Sequence, residues 1–392
     1  MYAPLAVSIG VKGARERGGP RALPPGWCGV VPMLPCRPKV GLMRNKVFIA
    51  SVLVTVAIEG CCQAKAAAVD GYAIGADVSF LRQAEGEGIV FKDHGRGKPG
   101  LQIFKDHGYN WVRLRLFHTP KDLPNNLAYT LALAQEAKQL GFHLLLDFHY
   151  SDTWADPAKQ FIPEAWKGKT HAQLVQAVFD YTRQTITAFR AAGALPDMVQ
   201  IGNEVTHGMM WPDGHLPENW DNFADLIKAG IDGVGAGSGN QTRPRIMIHI
   251  DRGGDKAGTK YFFDKLNSYH LDYDVIGQSY YPWWQGSLED FRQNMIFMAT
   301  HYPRDIIVVE VAYNWKPVEY TRQPAPFPET PEGQKQFLEE VNRVVRSTPH
   351  HRGKGVFWWE PAVAGALRTR GFFDDDGNAL PVMTVFDKSS RN

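Results

Sequence analysis

Met198-Val-Gln-Ile-Gly-Asn203-Glu204 and Ile306-Ile-Val-Val-Glu310 are two short apolar runs that each end on a glutamate. An ionised carboxylate at the edge of a core is costly unless something requires it there. Either run taken alone is equally well explained as a strand whose polar end meets solvent. Together they point to one site, because two carboxyl groups are the minimal machinery for glycoside hydrolysis, one to protonate the leaving oxygen and one to attack or to activate water.

The rest of the chain supplies the frame for that pair. From residue 70 onward, short apolar segments alternate with longer amphipathic ones, the pattern of repeated strand-helix units around a parallel sheet. Strands are expected at Tyr72 to Asp77, Trp111 to Leu116, His143 to Phe148, Met198 to Gly202, Arg245 to Ile250, Asp274 to Ser279, Ile306 to Glu310 and Gly355 to Trp359. About eight such units close a barrel, so the fold class is α/β, a (β/α)8 TIM barrel in a single catalytic domain. Helices are expected over Leu131 to Leu140 and Ala172 to Ala192, each stopping at glycine, and over Glu332 to Ser347, where Phe337, Leu338, Val341, Val344 and Val345 form one stripe. An open doubly wound sheet would need a glycine-rich phosphate turn after its first strand. Gly95-Arg-Gly97-Lys-Pro-Gly100 matches such a turn poorly and reads as a flexible loop.

In a strand-helix barrel the functional groups gather at the C-terminal strand ends. Those ends here carry Asp77, Arg113 and Arg115, Asp147 and His149, Asn203 and Glu204, Tyr280 and Tyr281, Glu310, and Trp358-Trp359-Glu360. Residues two apart share a strand face, so Arg113 points with Arg115 and Asp147 with His149. A basic pair aimed inward would hold neighbouring carboxylates ionised. It serves equally to neutralise buried acids such as Asp77. Trp283-Trp284 and Trp358-Trp359 lie where strands give way to loops, where flat rings suit stacking on sugar C–H faces. Asp147 with His149 lacks a third ligand at a recognisable spacing, so no metal site and no cofactor are expected.

The chain has 392 residues, of which 44% are hydrophobic and 12% aromatic, enough for a large core. Residues 1–68 hold nine of the 43 Lys/Arg and two of the 41 Asp/Glu, leaving 34 basic against 39 acidic side chains. That sign disfavours nucleic acid as a partner. Met43-Arg-Asn-Lys46, the apolar run Val47 to Ile58 and Ala64-Lys-Ala66 form a basic, apolar and small-residue series that reads as a signal peptide over 43–68, cleaved near Ala66. The run is too short for a permanent membrane span. Residues 1–42 read as an upstream extension and 69–392 as the catalytic domain, with a secreted or periplasmic location and a monomeric state expected. All four cysteines, Cys28, Cys36, Cys61 and Cys62, precede the expected mature start, which leaves no thiol nucleophile. Lipidation at Cys61 ranks behind simple cleavage because Glu59 is awkward in that position.

Gly75-Ala-Asp77-Val-Ser79, Trp111-Val-Arg113-Leu-Arg115-Leu-Phe, the run from Leu146-Asp147-Phe-His149 to Asp156-Pro157, Gln200-Ile-Gly-Asn203-Glu204, Gly277-Gln-Ser-Tyr280-Tyr281-Pro-Trp283-Trp284 and Gly355-Val-Phe-Trp358-Trp359-Glu360-Pro361 together resemble glycoside hydrolase family 53. These are the endo-β-1,4-galactanases, within a clan of retaining barrel glycosidases, and the likeness runs over residues 70 to 385. It implies Glu204 as acid/base, Glu310 as nucleophile, Asn203 on the sugar 2-hydroxyl and Tyr280 orienting Glu310. It further implies Arg115 and His149 as supports, with Arg113 the other choice, and Trp359 beneath the sugar, with Trp358 competing. The implied partner is plant cell-wall galactan. Some relatives hold calcium in the loop after the seventh strand; here that loop, Tyr313 to Pro331, is proline-rich and poor in ligand oxygens. Three rival readings are another barrel endoglycanase acting on mannan, cellulose or xylan, a non-catalytic polysaccharide-binding barrel, and a metal-dependent hydrolase.

Overall fold

Eight parallel strands pair in the order β1-β8-β7-β6-β5-β4-β3-β2, and β2 returns to β1, so the sheet is a closed barrel. They are β1 (Ala73–Asp77), β2 (Trp111–Leu116), β3 (His143–Phe148), β4 (Met198–Ile201), β5 (Arg245–Ile250), β6 (Val275–Tyr280), β7 (Asp305–Val311) and β8 (Gly353–Trp359). The expected strands are all present, three with the expected ends and five with an end displaced by one or two residues. The structure is a computed structural model and describes residues 71–318 and 325–387. The expected leader over 43–68, the segment before it and the four cysteines lie outside the described residues.

Helices cover the outer face, and their ends follow from sequence. Asn126 caps Leu127–Gln139 through its side chain, and Thr170 with Gln173 makes a capping box on His171–Ala191. Both helices stop just before a glycine with positive φ, Gly141 at 75° and Gly193 at 69°. Thr330 caps Pro331–Arg346, with proline in the first helical turn, and the five-residue apolar stripe of that helix is wholly buried. The segment around Gly95 departs from the expected open loop. Lys92–Asp93 and Arg96–Gly97 pair as a small antiparallel hairpin turned by His94 and Gly95, both with positive φ.

Strand alternation divides the core in two. Ala73, Trp111, Leu145, Met198, Met247, Val275, Ile307, Val309 and Phe357 fill the barrel interior. Their neighbours face the helices in the larger cluster. Gly75 is required by the inner packing, since a Cβ there would stand 2.1 Å from the Phe357 ring. Above this apolar floor the inward positions turn polar, and β7 carries a register shift between Val308 and Glu310 against β6. No helix among the described residues is long and apolar enough to cross a membrane.

Candidate active site

Arg113 lies at the centre of the polar layer. Its Nη1 donates to Asp77 Oδ2 and to Glu310 Oε1, both at 2.7 Å, and its Nη2 donates to Asp147 Oδ2 and Asn203 Oδ1, both at 2.8 Å. The register brings these groups together, with Asp77 opposite Arg113 and Asp147 opposite Gln200 on adjacent strands. Every side chain in this group is buried, so a single guanidinium holds three carboxylates in place.

Glu310 reaches the interior through the β7 irregularity. Val309 already faces inward, and simple alternation would send Glu310 outward. The register instead sets Val308 opposite Gln278 and Glu310 opposite Ser279, so two residues of β7 span one step of β6, a bulge that turns the carboxyl inward. Tyr281 Oη donates to Glu310 Oε2 at 2.9 Å. Burial raises the Glu310 carboxyl above its ordinary range, while Arg113 and the Tyr281 hydroxyl oppose that rise by favouring the ionised form.

Glu204 has different surroundings. It follows a turn at Gly202 and stands in the left-handed region at φ 45°. Its Oε1 lies 2.6 Å from Ser279 Oγ, and no cation pairs with it among the described residues. Burial, then the charges of Glu310, Asp251 and Asp156, push its carboxyl well above the usual carboxylate range. The two glutamates are therefore electrostatically unlike: burial raises both carboxyls, and Glu204 rises further because the cation, Arg113, stands beside Glu310.

Aromatic rings line the same end of the barrel. Trp359 and Trp154 are half-buried with centroids 6.1 Å apart, and the Arg370 guanidinium lies 5.5 Å from the Trp284 centroid and 5.7 Å from that of Trp359. Flat aromatic faces of this kind can stack on a sugar.

Four expectations need correction. Arg115 does not meet Glu310; it bonds Glu360 and stacks on Trp154 at 4.1 Å, while Arg113 takes the place beside Glu310. Arg113 lies one inward step deeper, level with the bulged carboxyl. Tyr280 does not orient Glu310, because it follows Gln278 to the outside, stacks on Phe291 at 4.3 Å and donates to Gly286 O. Trp358 faces outward, is buried against Phe372 and donates to Arg370 O. Trp283 is buried and stacked on Tyr313, so of that pair only Trp284 offers a face. His149 does lie at the site, 3.1 Å from Asp147.

Residues that the sequence did not single out complete the site. His249 on β5 contacts Asn203 Oδ1 at 3.1 Å and Ser279 Oγ at 2.8 Å, and burial with the nearby Arg113 charge keeps its pKa well below the ordinary histidine value. Gln200 donates to Asp147 at 2.7 Å, and Gln160 donates to Asn203 O at 2.9 Å. Period-two alternation from Met247 puts His249 inside, a signal present in the sequence. In the loop after β7, Asn314 donates to Glu329 at 2.9 Å. Part of that loop, residues 319–324, lies outside the described residues.

A buried carboxyl pair at the strand ends of a parallel barrel, with aromatic faces beside it, defines a barrel glycoside hydrolase. The model of glycosyl hydrolase family 53 matches residues 73–391, and the chain belongs to that family. It is 34% identical to the arabinogalactan endo-beta-1,4-galactanase of Thermothelomyces thermophilus, over 80% of this chain and 98% of that protein. A probable arabinogalactan endo-beta-1,4-galactanase A of Neosartorya fischeri is 36% identical, covering 74% of this chain and 83% of its own. The Ignisphaera aggregans GH53 catalytic domain superposes with a TM-score of 0.76 at 31% identity, over 82% of this chain and 96% of that one.

Proposed function

We propose that the chain is a secreted or periplasmic endo-β-1,4-galactanase that cleaves internal galactosidic bonds of pectic galactan with retention of anomeric configuration. The observation that carries this reading is the electrostatic asymmetry of the two glutamates in a family-53 barrel. Glu310, ionised beside Arg113 and Tyr281, attacks the anomeric carbon as the bond to the leaving oxygen breaks. Glu204 gives its proton to that oxygen. Water then attacks the galactosyl ester, Glu204 takes the water's proton, and the Glu310 carboxylate is released.

The surrounding groups support these steps. Asn203 is held by Arg113 and by donation of its amide to Ala155 O at 2.9 Å, which leaves a second amide hydrogen for the sugar 2-hydroxyl. Trp359 would lie beneath the sugar at the cleavage point. Galactan as substrate is supported by the names of the relatives at 34% and 36% identity. The test is a panel of galactan, mannan, cellulose and xylan, with product length and the anomeric configuration of the first product read by NMR. Galactan cleavage to β-anomeric products is expected; selective hydrolysis of another polymer, or an α-anomer, overturns the reading. Mass measurement of exported protein beginning near Ala66 tests the location.

A further inference from the structure

Among the described residues, Val90, Phe161, Tyr261 and Ile296 are the large hydrophobic side chains most open to water. Tyr261 and Ile296 belong to the outer helices Lys256–Asn267 and Leu288–His301, and Val90 lies beside the small hairpin. Phe161 is placed differently. Its side chain is 55% exposed and sits in the loop after β3, at the barrel end that carries the glutamates. A lone exposed ring needs no explanation.

The backbone of Phe161 is firmly held. It forms a parallel bridge with Trp211, whose ring lies 4.4 Å from that of His215. Trp211 N–H donates to Gln160 O at 2.7 Å, and Trp211 Nε1 donates to His207 O at 2.7 Å. The neighbouring Gln160 side chain is buried and grips the carbonyl of Asn203, next to Glu204. The backbone that displays the phenyl ring is thus tied to the backbone that displays the proposed acid. Lys159, two residues before Phe161, pairs with Asp156 at 3.1 Å.

We propose that Phe161, on the loop bridged to Trp211, is the platform for the galactosyl units on the leaving-group side of the cleaved bond. A general acid must stand beside the glycosidic oxygen on the side of the departing sugar, so the loops knit to Glu204 are the ones that meet that sugar. The phenyl ring offers an apolar face to the axial C–H groups of galactose. Because the backbone that carries the ring is already tied down, stacking orders only the side chain. The inference rests on Glu204 being the proton donor and galactan the substrate.

The test compares kcat/KM for galactan with kcat/KM for β-galactobiosyl fluoride, whose departing fluoride has no leaving-group sugar. Phe161→Ala should lower the galactan-to-fluoride ratio roughly five- to tenfold, and Phe161→Trp should restore it. An unchanged ratio in Phe161→Ala, including an equal fall on both substrates, overturns the platform. Wild-type enzyme that turns over the fluoride but not galactan would instead overturn the substrate assignment.

Discussion

Arg113 and Glu310 meet at 2.7 Å although they lie 197 residues apart in the chain, and the same guanidinium also holds Asp77 and Asp147. Arg113→Met would remove the cation that three buried carboxylates share, leaving Asp77 only Arg115 at 3.6 Å. The expected cost is about 3–5 kcal/mol in urea unfolding, because an uncompensated buried charge is worse than no pair at all. Activity on galactan should fall on the order of 100-fold or more, and the acid limb of the pH profile should move up as Glu310 becomes harder to ionise.

Glu204 and Glu310 should set a bell-shaped dependence of kcat/KM on pH. Activity rises as Glu310 loses its proton and falls as Glu204 loses its own, and the raised pKa of Glu204 places the second limb well above the ordinary carboxylate range. Glu310→Gln removes the charge that opposes ionisation of Glu204. The Glu204 carboxyl should then titrate at lower pH, measured by carbon-13 NMR, and no downward shift would count against direct coupling.

The two proposed catalytic glutamates should also differ by leaving group. Glu204→Ala is expected to lose roughly 100- to 10,000-fold on galactan yet to form the galactosyl-enzyme readily from a substrate with a dinitrophenol leaving group, which needs no acid. Glu310→Ala should be inactive on both. Mass spectrometry of the trapped intermediate distinguishes them.

Tyr281 and Tyr280 are adjacent in sequence and opposite in effect. Tyr281→Phe removes a hydrogen bond to a buried carboxylate and should lower kcat about 10- to 100-fold. Tyr280→Phe should leave turnover near wild type and cost about 1 kcal/mol of stability from the lost bond to Gly286 O. Steady-state kinetics beside thermal unfolding of both variants checks the contrast.

Glu360 supplies a pH dependence of stability. Burial pushes its carboxyl up to about 8, against the pull of Arg115, whereas the unfolded carboxyl titrates near its ordinary value of about 4.3. Between those pH values the folded state binds a proton that the unfolded state has lost, so this contribution falls as pH rises and is exhausted above about 8. Glu360→Gln should flatten the stability difference between pH 5 and pH 8 by at least about 1 kcal/mol in urea unfolding.

The eight strands, the helix stripe of Pro331–Arg346 and the strand-end position of both glutamates were legible because burial in a barrel imposes periods of 2 and 3.6 on any sequence that folds into it. The same period, followed from Val275 along β6, separates Tyr281 from Tyr280 and leaves Ser279 facing Glu204. Met247 predicts inward His249 in the same way. Those two assignments needed only strand phase, which the apolar floor of the barrel supplies.

By itself, the sequence determined that this chain forms a strand-helix barrel with a carboxyl pair at one end, since hydrophobic periodicity and strand-end chemistry are local properties. The tertiary structure decided which way the second carboxyl points and which arginine meets it. Val309 and Glu310 both face inward only because β7 gains a residue against β6, and a bulge belongs to the pairing of two strands. That extra residue raises Glu310 to Tyr281 and Arg113 and leaves Arg115 to Glu360, a choice made by register between neighbours distant in the chain.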